Sequence, residues 1–220
     1  MIEAALSLPK SHFRHFVYSS VLHSRLRKLM NHGCKRYVEE ALTESSLPYT
    51  ILQPTHFMDM FPVAKLQSSP DPEVTYTSNW NPDIEFTFVA LSDLAAAAKV
   101  VLEEQERHFY ASYELVGTDK LTYREISGIA GEIIGKKVKV EKREPEEATE
   151  ALLGMLFAGN EGKIDNRTRD GAERLILYYN RRGLVGNKNV LTWLIGREPM
   201  SWRQWAEGKS DVERQKLVGV

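Results

Sequence analysis

The apolar positions of this chain follow two rhythms. Residues 13–18 are short, aromatic and β-branched (Phe13, Phe16, Val17, Tyr18) and run into the polar pair Ser19 and Ser20, the pattern of a strand with apolar neighbours on both faces. Residues 26–42 instead place Leu26, Leu29, Met30, Cys34, Tyr37, Val38, Ala41 and Leu42 at steps of three and four. That is one face of a helix. Ser45 and Ser46 break the rhythm, and Tyr49, Thr50, Ile51, Leu52 and Gln53 read as a second strand ended by Pro54. Strand, helix, strand in that order predicts a βαβ unit with parallel strands.

Residues from about 57 to 85 are irregular and rich in Pro, Ser, Asp and Asn, with a short strand at 74–76; they read as an insertion over the edge of the sheet. Residues 86–89 are extended again, and Ser92 is the expected cap of an Ala-rich helix over 93–102. A strand and turn follow at 113–117. Thr122 and Glu125 have the spacing of a capping box ahead of Ile126, Ile129, Ile133 and Ile134, and Gly135 is the expected stop. Residues 138–140 alternate with charges like an exposed strand. Helices are expected over 146–157 and 170–182, the second closed by Gly183. The tail holds Trp193, Trp202 and Trp205 among other apolar residues, so it packs onto the body. Residues 1–6 resemble the last turns of a helix.

The sum is an α/β protein with an incomplete doubly wound parallel sheet and a smaller C-terminal α/β lobe. Residues 1–118 form the first unit and residues 119–220 a mainly helical second one. A length of 220 residues suits that division, and 29 Lys+Arg against 30 Asp+Glu leave a formal charge of -1. So even a balance gives no bulk attraction to nucleic acid or to an anionic membrane. No apolar stretch approaches the roughly 20 residues of a membrane span, and Glu3, Pro9, Lys10 and Arg14 do not fit a secretory leader. With Cys34 as the one cysteine, a cytoplasmic or nuclear setting is expected, and the thiol is expected to be a small buried or neutral group. His12, His15, His23 and His108 do not form a metal-binding spacing with carboxylates.

Dinucleotide chemistry needs a Gly-rich turn between a strand and a helix, where backbone N–H groups hold pyrophosphate. The first glycine here is Gly33, within an expected helix. Gly128, Gly131 and Gly135 come closest in spacing but lie in or at the end of the capped helix, where packing and termination explain them. Asn31 and Lys35 are four apart and share a helical face, after a strand that ends in Ser19 and Ser20.

Here a resemblance becomes specific. The runs His15-Phe16-Val17-Tyr18-Ser19-Ser20-Val21, Asn31-His32-Gly33-Cys34-Lys35 and Tyr49-Thr50-Ile51-Leu52-Gln53-Pro54-Thr55-His56-Phe57-Met58 resemble the NmrA-like family of atypical short-chain dehydrogenases/reductases. Ser92-Asp93-Leu94-Ala95, Tyr113-Glu114-Leu115-Val116-Gly117, Gly183-Leu184-Val185-Gly186-Asn187 and Ile195-Gly196-Arg197-Glu198-Pro199 extend the likeness from about residue 12 to 207. The resemblance implies an NAD(P)-binding Rossmann domain, a smaller lobe and a cleft between them. It implies that Lys35 hydrogen-bonds the nicotinamide ribose. His56, Phe57, Met58 and Asp59 would border the nicotinamide, and Ser19 or Ser20 would meet a substrate oxygen.

Two departures accompany it. Relatives with a proton-donating tyrosine carry it four residues before the lysine, where this chain has Asn31, and an amide does not exchange protons usefully near neutral pH. His32 could stand in, although a structural role suits it better. The Gly-rich beginning is also missing, as in a truncated chain. Three charge-assisted hydrogen bonds lost there would weaken dinucleotide binding by about 5–9 kcal/mol. The expected function is therefore NAD(P)-dependent hydride transfer to or from a small organic substrate. The alternatives are a non-catalytic NAD(P)-sensing regulator that binds a protein partner, and an inactive truncated product. The cofactor is NADP or NAD.

Overall fold

The computed structural model describes residues 1–9 and 13–218; Lys10 and His12, used in the sequence reading, lie outside them. The first half of the chain forms α1 (Ile2–Leu6), β1 (Phe16–Ser19), α2 (Met30–Glu44), β2 (Tyr49–Pro54), β3 (His56–Phe57), α3 (Val63–Ser68) and β4 (Glu73–Ser78). It continues with β5 (Glu85–Phe86), β6 (Phe88–Val89), α4 (Leu91–Glu104) and β7 (Ala111–Leu115). The second half adds β8 (Leu121–Thr122), α5 (Tyr123–Ile134), β9 (Lys137–Lys142), α6 (Pro145–Leu156), α7 (Asn166–Arg182), α8 (Asn189–Ile195) and α9 (Trp202–Val218).

The expected parallel sheet is present, in the order β1-β2-β7. Phe16 stands opposite Tyr49 and Ser19 opposite Leu52, while Thr50 pairs with Ala111 and Pro54 with Leu115. Alternation along β2 sends Tyr49 and Ile51 to one face, where they pack with Leu42 of α2, Leu47 and Ala5 of α1. Leu52 faces the other way, onto Ala97 and Val101 of α4 and Leu191 and Leu194 of α8. The sheet is thus covered on both sides, as parallel strands require.

The segment after β2 builds more than the sequence suggested. Its short strand, β4, pairs in parallel with β9, from Glu73 opposite Lys137 to Ser78 opposite Lys142. Glu73 binds Lys137 at 2.9 Å and also Lys139. The charges that made residues 138–140 look solvent-facing therefore join two strands more than fifty residues apart. The capping box of α5 forms as expected, and Gly135 takes the left-handed conformation (φ 69°) that ends the helix. Trp202 and Trp205 are buried, so the tail does pack on the body. Trp193, however, is 63% exposed.

Ser92 is not the cap of α4. The helix begins one residue before it, with Ala90 in the cap position and no local side chain in contact. Its first free N–H, that of Leu91, is met from outside by Asp59 Oδ2 at 3.3 Å. A distant carboxylate does the work of a local cap and also suits the positive end of the helix dipole. Two residues into the helix from Leu91, Asp93 is fully buried and accepts from Arg197 Nη2 and from the Met200 N–H, each at 2.7 Å. This joins the start of α4 to the turn that launches α9.

The largest core cluster is aromatic. His56 of β3 sits among Trp80, Phe86, Phe88 and Tyr123, with ring centroids 5.4–6.1 Å away, and its Nε2 shares a 2.8 Å hydrogen bond with the Tyr123 hydroxyl. Burial pushes the imidazole pKa down to about 4 and the Tyr123 phenol well above its ordinary 10.

Two outcomes follow from these contacts. Replacing Asp93 by Ala leaves the Met200 N–H without its acceptor and the half-exposed Arg197 guanidinium to water, and urea denaturation should show a loss of about 1–3 kcal/mol. His56 must stay neutral in the folded chain while its unfolded counterpart takes up a proton below about pH 6.5. Its stabilisation is therefore full above that pH and declines as pH falls toward 4, by about 2–3 kcal/mol in total. Comparing unfolding free energies at pH 7 and pH 4.5 should show a smaller acid loss in His56→Asn than in the unmodified chain; equal losses contradict the assignment.

Candidate nucleotide and substrate site

β1 and β2 end side by side, and α2 returns the chain between them. Phe16 N–H bonds Pro48 O and Ser20 N–H bonds Leu52 O. The backbone groups of Phe16, Tyr18 and Ser20 therefore point toward β2, and those of Val17 and Ser19 point to the outer edge. Lys35 of α2 occupies this edge. Its Nζ donates to the Ser19 carbonyl at 3.0 Å and lies 5.2 Å from the centre of the Tyr18 ring. Ser19 is exposed, while Ser20 is buried.

Asn31 and Cys34, on the same helix, line a cleft of about 420 Å³ between α2, α6 and α7. Its walls are mainly apolar: Met30 from α2, Leu152, Leu153 and Leu156 from α6, and Leu175 from α7. Met30 packs so closely on Gly171 that a Cβ there would strike the methionine's methyl group. Cys34 is exposed rather than buried, because its helical position faces the cleft and not the sheet. Asp165 caps α7 by accepting the Thr168 N–H at 2.7 Å, and Arg167 stands at the same rim with its Nε 3.4 Å from Met30 Sδ.

His32 does not face the cleft. It is fully buried. Its Nδ1 lies 3.0 Å from the His23 carbonyl, which can only accept, so Nδ1 carries the proton and Nε2 accepts from the Tyr179 hydroxyl at 2.7 Å. Burial lowers its pKa, with a partial opposing effect from the His23 carbonyl. A neutral imidazole with both nitrogens engaged is a structural joint between α2 and α7, not a proton donor.

The four residues after β2 are dispersed. His56 lies in the aromatic core described above, and Met58 is wholly buried. Phe57 packs with the cluster of Leu52, Val89 and Leu115. Asp59 ties Lys209 of α9 at 2.9 Å in addition to the α4 start. Burial would raise the Asp59 pKa, but the hydrogen bonds from Lys209 and the Leu91 N–H outweigh it and hold it below the usual value. The structure sets Lys35 on Ser19 and places Asn31 in the wall of the apolar cleft, which neither Lys35 nor Ser19 lines, and it engages His56, Met58 and Asp59 in other contacts.

Sequence reasoning missed Glu39. Its two carboxylate oxygens accept from Ser20 Oγ (2.5 Å), Ser24 Oγ (2.6 Å) and Gln53 Nε2 (2.8 Å). The signal was available in part: Glu39 is one helical turn beyond Lys35, as Lys35 is beyond Asn31. The partners Ser24 and Gln53 come from a loop and a second strand, which no spacing reveals.

The residues suit one end of a dinucleotide. An ammonium has three donors and Ser19 uses one, which leaves Lys35 able to hold a ribose hydroxyl. Among the described residues no strand passes through a Gly-rich turn into a helix. Gly131 is a packing position, where a Cβ would meet the Lys136 carbonyl at 2.7 Å. The phosphate end therefore finds no cradle among them.

No helix among the described residues is long and apolar enough to cross a membrane. No curated protein matches the sequence. Among solved structures, the fold is similar to an NADPH-dependent quinone oxidoreductase from Escherichia coli, with 19% identity and a TM-score of 0.72 over 94% of this chain and 70% of that one. It is also similar to the Citrobacter sp. triphenylmethane reductase complexed with NADP(H), with 20% identity and a TM-score of 0.71 over 95% and 68% of the two chains. NmrA, a negative transcriptional regulator in complex with NADP, has 14% identity and a TM-score of 0.64 over 94% and 67%. These likenesses establish the fold. The sequence itself matches the NmrA-like family over residues 2–177, and on that match the chain belongs to the NmrA-like family.

Proposed function

We propose that this protein is an NAD(P)-linked oxidoreductase acting on a small organic substrate held in the cleft between α2, α6 and α7. A bound NADP or NAD would supply or accept the hydride. The observation that carries the reading is the Lys35 ammonium on the Ser19 carbonyl, at the end of a parallel strand and on the helix whose Asn31 and Cys34 line an apolar cleft. In this reading Lys35 holds the nicotinamide ribose, the exposed Ser19 hydroxyl meets a substrate oxygen, and Asn31 orients the substrate from the cleft wall. Ser20 is unsuited to the serine role, because its single hydroxyl proton is given to Glu39. Residues 1–118 and 119–220 would supply the two sides of the site.

Proton supply restricts the substrate. Asn31 does not exchange a proton usefully, and His32 is sequestered between a carbonyl and a phenol. A site so built favours acceptors whose hydride adduct needs no strong acid, such as a quinone or a cationic conjugated carbon. The quinone and triphenylmethane reductases of the same fold bear names of that kind. The same Asn31 favours a second reading, a dinucleotide-sensing regulator without turnover, in keeping with the regulator that shares the fold.

The test is a fluorescence titration with NADPH, followed by anaerobic single turnover with a quinone. Removing one charge-assisted hydrogen bond costs about 1.5–3 kcal/mol, so Lys35→Ala should weaken NADPH binding by about 10–100-fold. Binding with quinone-dependent oxidation supports the oxidoreductase, and binding without oxidation of any acceptor supports the regulator. No binding at millimolar NADPH, or equal binding by Lys35→Ala, overturns the role of Lys35.

A further inference from the structure

We infer that Glu39 is a positioning residue for this site: it and Lys35 form a two-point clamp that fixes the end of β1 against α2. The inference rests on the reading of Lys35 given under Proposed function. Lys35 and Glu39 lie four residues apart, on successive turns of one helix. They grip successive residues of the strand end with opposite charges. Lys35 donates to the Ser19 carbonyl at 3.0 Å, and Glu39 accepts from the Ser20 hydroxyl at 2.5 Å.

Glu39 also gathers what surrounds that end. Ser24, fully buried in the loop from β1 to α2, donates to Oε2 at 2.6 Å. Gln53 of β2 donates to Oε1 at 2.8 Å and reaches Ser24 Oγ at 3.3 Å. One carboxylate thus joins the strand end, the following loop, the neighbouring strand and the helix. A carboxylate is suited to this because it only accepts, and its two oxygens have room for several donors. Without it the two serines and the glutamine lose their common acceptor, the loop is freed, and the Ser19 carbonyl turns from the position that holds the Lys35 ammonium. Glu39 touches neither substrate nor nucleotide in this account; it acts through Lys35.

The experiment is a double-mutant cycle on NADPH affinity, run on the full chain at a temperature where circular dichroism shows every variant folded. Glu39→Ala should raise the Kd about tenfold or more. Glu39→Gln should stay within about threefold of the unmodified chain, since its amide oxygen still accepts from Ser20 and Gln53 while its N–H donates to the Ser24 oxygen. If Glu39 works through Lys35, the Lys35→Ala, Glu39→Ala double variant binds no more weakly than Lys35→Ala alone.

Additive losses, or an unchanged Kd in Glu39→Ala while Lys35→Ala binds weakly, overturn the clamp and leave the role of Lys35 intact. An unchanged Kd in Lys35→Ala overturns the reading of Lys35 instead. Should Glu39→Ala not fold, Ser24→Ala with Gln53→Leu removes two of the three donors and should raise the Kd by about threefold or more, with no change counting against the clamp. If the unmodified chain binds no NADPH, the proposed function falls, and the clamp is read from acylation of Lys35 by an amine reagent followed by mass spectrometry. Labelling should then be about threefold faster in Glu39→Ala, and equal rates overturn the clamp.

Discussion

Parallel strands cannot be joined by a tight turn, so the chain leaving β1 must cross back over the sheet before β2 can begin. Everything near the candidate site depends on that return path. It lays α2 along the sheet with one face on Tyr49 and Ile51, which puts Lys35 and Glu39 at the strand end and Asn31 in the cleft wall. The same crossing turns Met30 and Cys34 toward α6 and α7, so that one helix serves both the sheet and the cleft. Burial of Leu42 against the sheet and the buried His32–Tyr179 contact hold the helix at its two ends.

The segments after residue 118 are joined to those before it by contacts of a different kind. Asp93 receives the turn before α9, Asp59 receives both the α4 start and Lys209, and β4 gives its edge to β9. Each is a polar or backbone link between segments far apart in sequence, over an aromatic core that centres on His56 and Tyr123. Aromatic bulk supplies the burial, and the few polar links give it direction. This explains how a region built of short elements after β2 can still be well packed.

Much of the fold was legible because it is local. The strand patterns around Phe16, Tyr49 and Tyr113, the capping box at Thr122 and the stop at Gly135 depend on neighbours a few residues away, and they formed as expected. The misreadings all involve partners that periodicity cannot supply. Ser92 satisfied the local rule for a cap, but Asp59 reached the free N–H from thirty-two residues away. The exposed strand at residues 138–140 formed as read, with its charged side chains toward water, but its parallel ladder with β4 was not legible. Of the site, the shared face of Asn31 and Lys35 could be read from spacing. The position of Glu39 one turn further on could be read too, but not its partners Ser20, Ser24 and Gln53, which lie on other elements, nor the exposure of Cys34, which depends on where α6 and α7 stand.

The bond between His32 and Tyr179 has a mechanical corollary. It fastens α2 to α7 one turn beyond Leu175, the last α7 residue of the cleft, with both partners removed from water. The two walls are therefore pinned at their inner end, and toward Arg167 they are joined again by its contact with Met30 and by the packing of Met30 on Gly171. With a fastening on either side of it, the spacing of α2 and α7 beside Asn31 is set as a beam is by two struts.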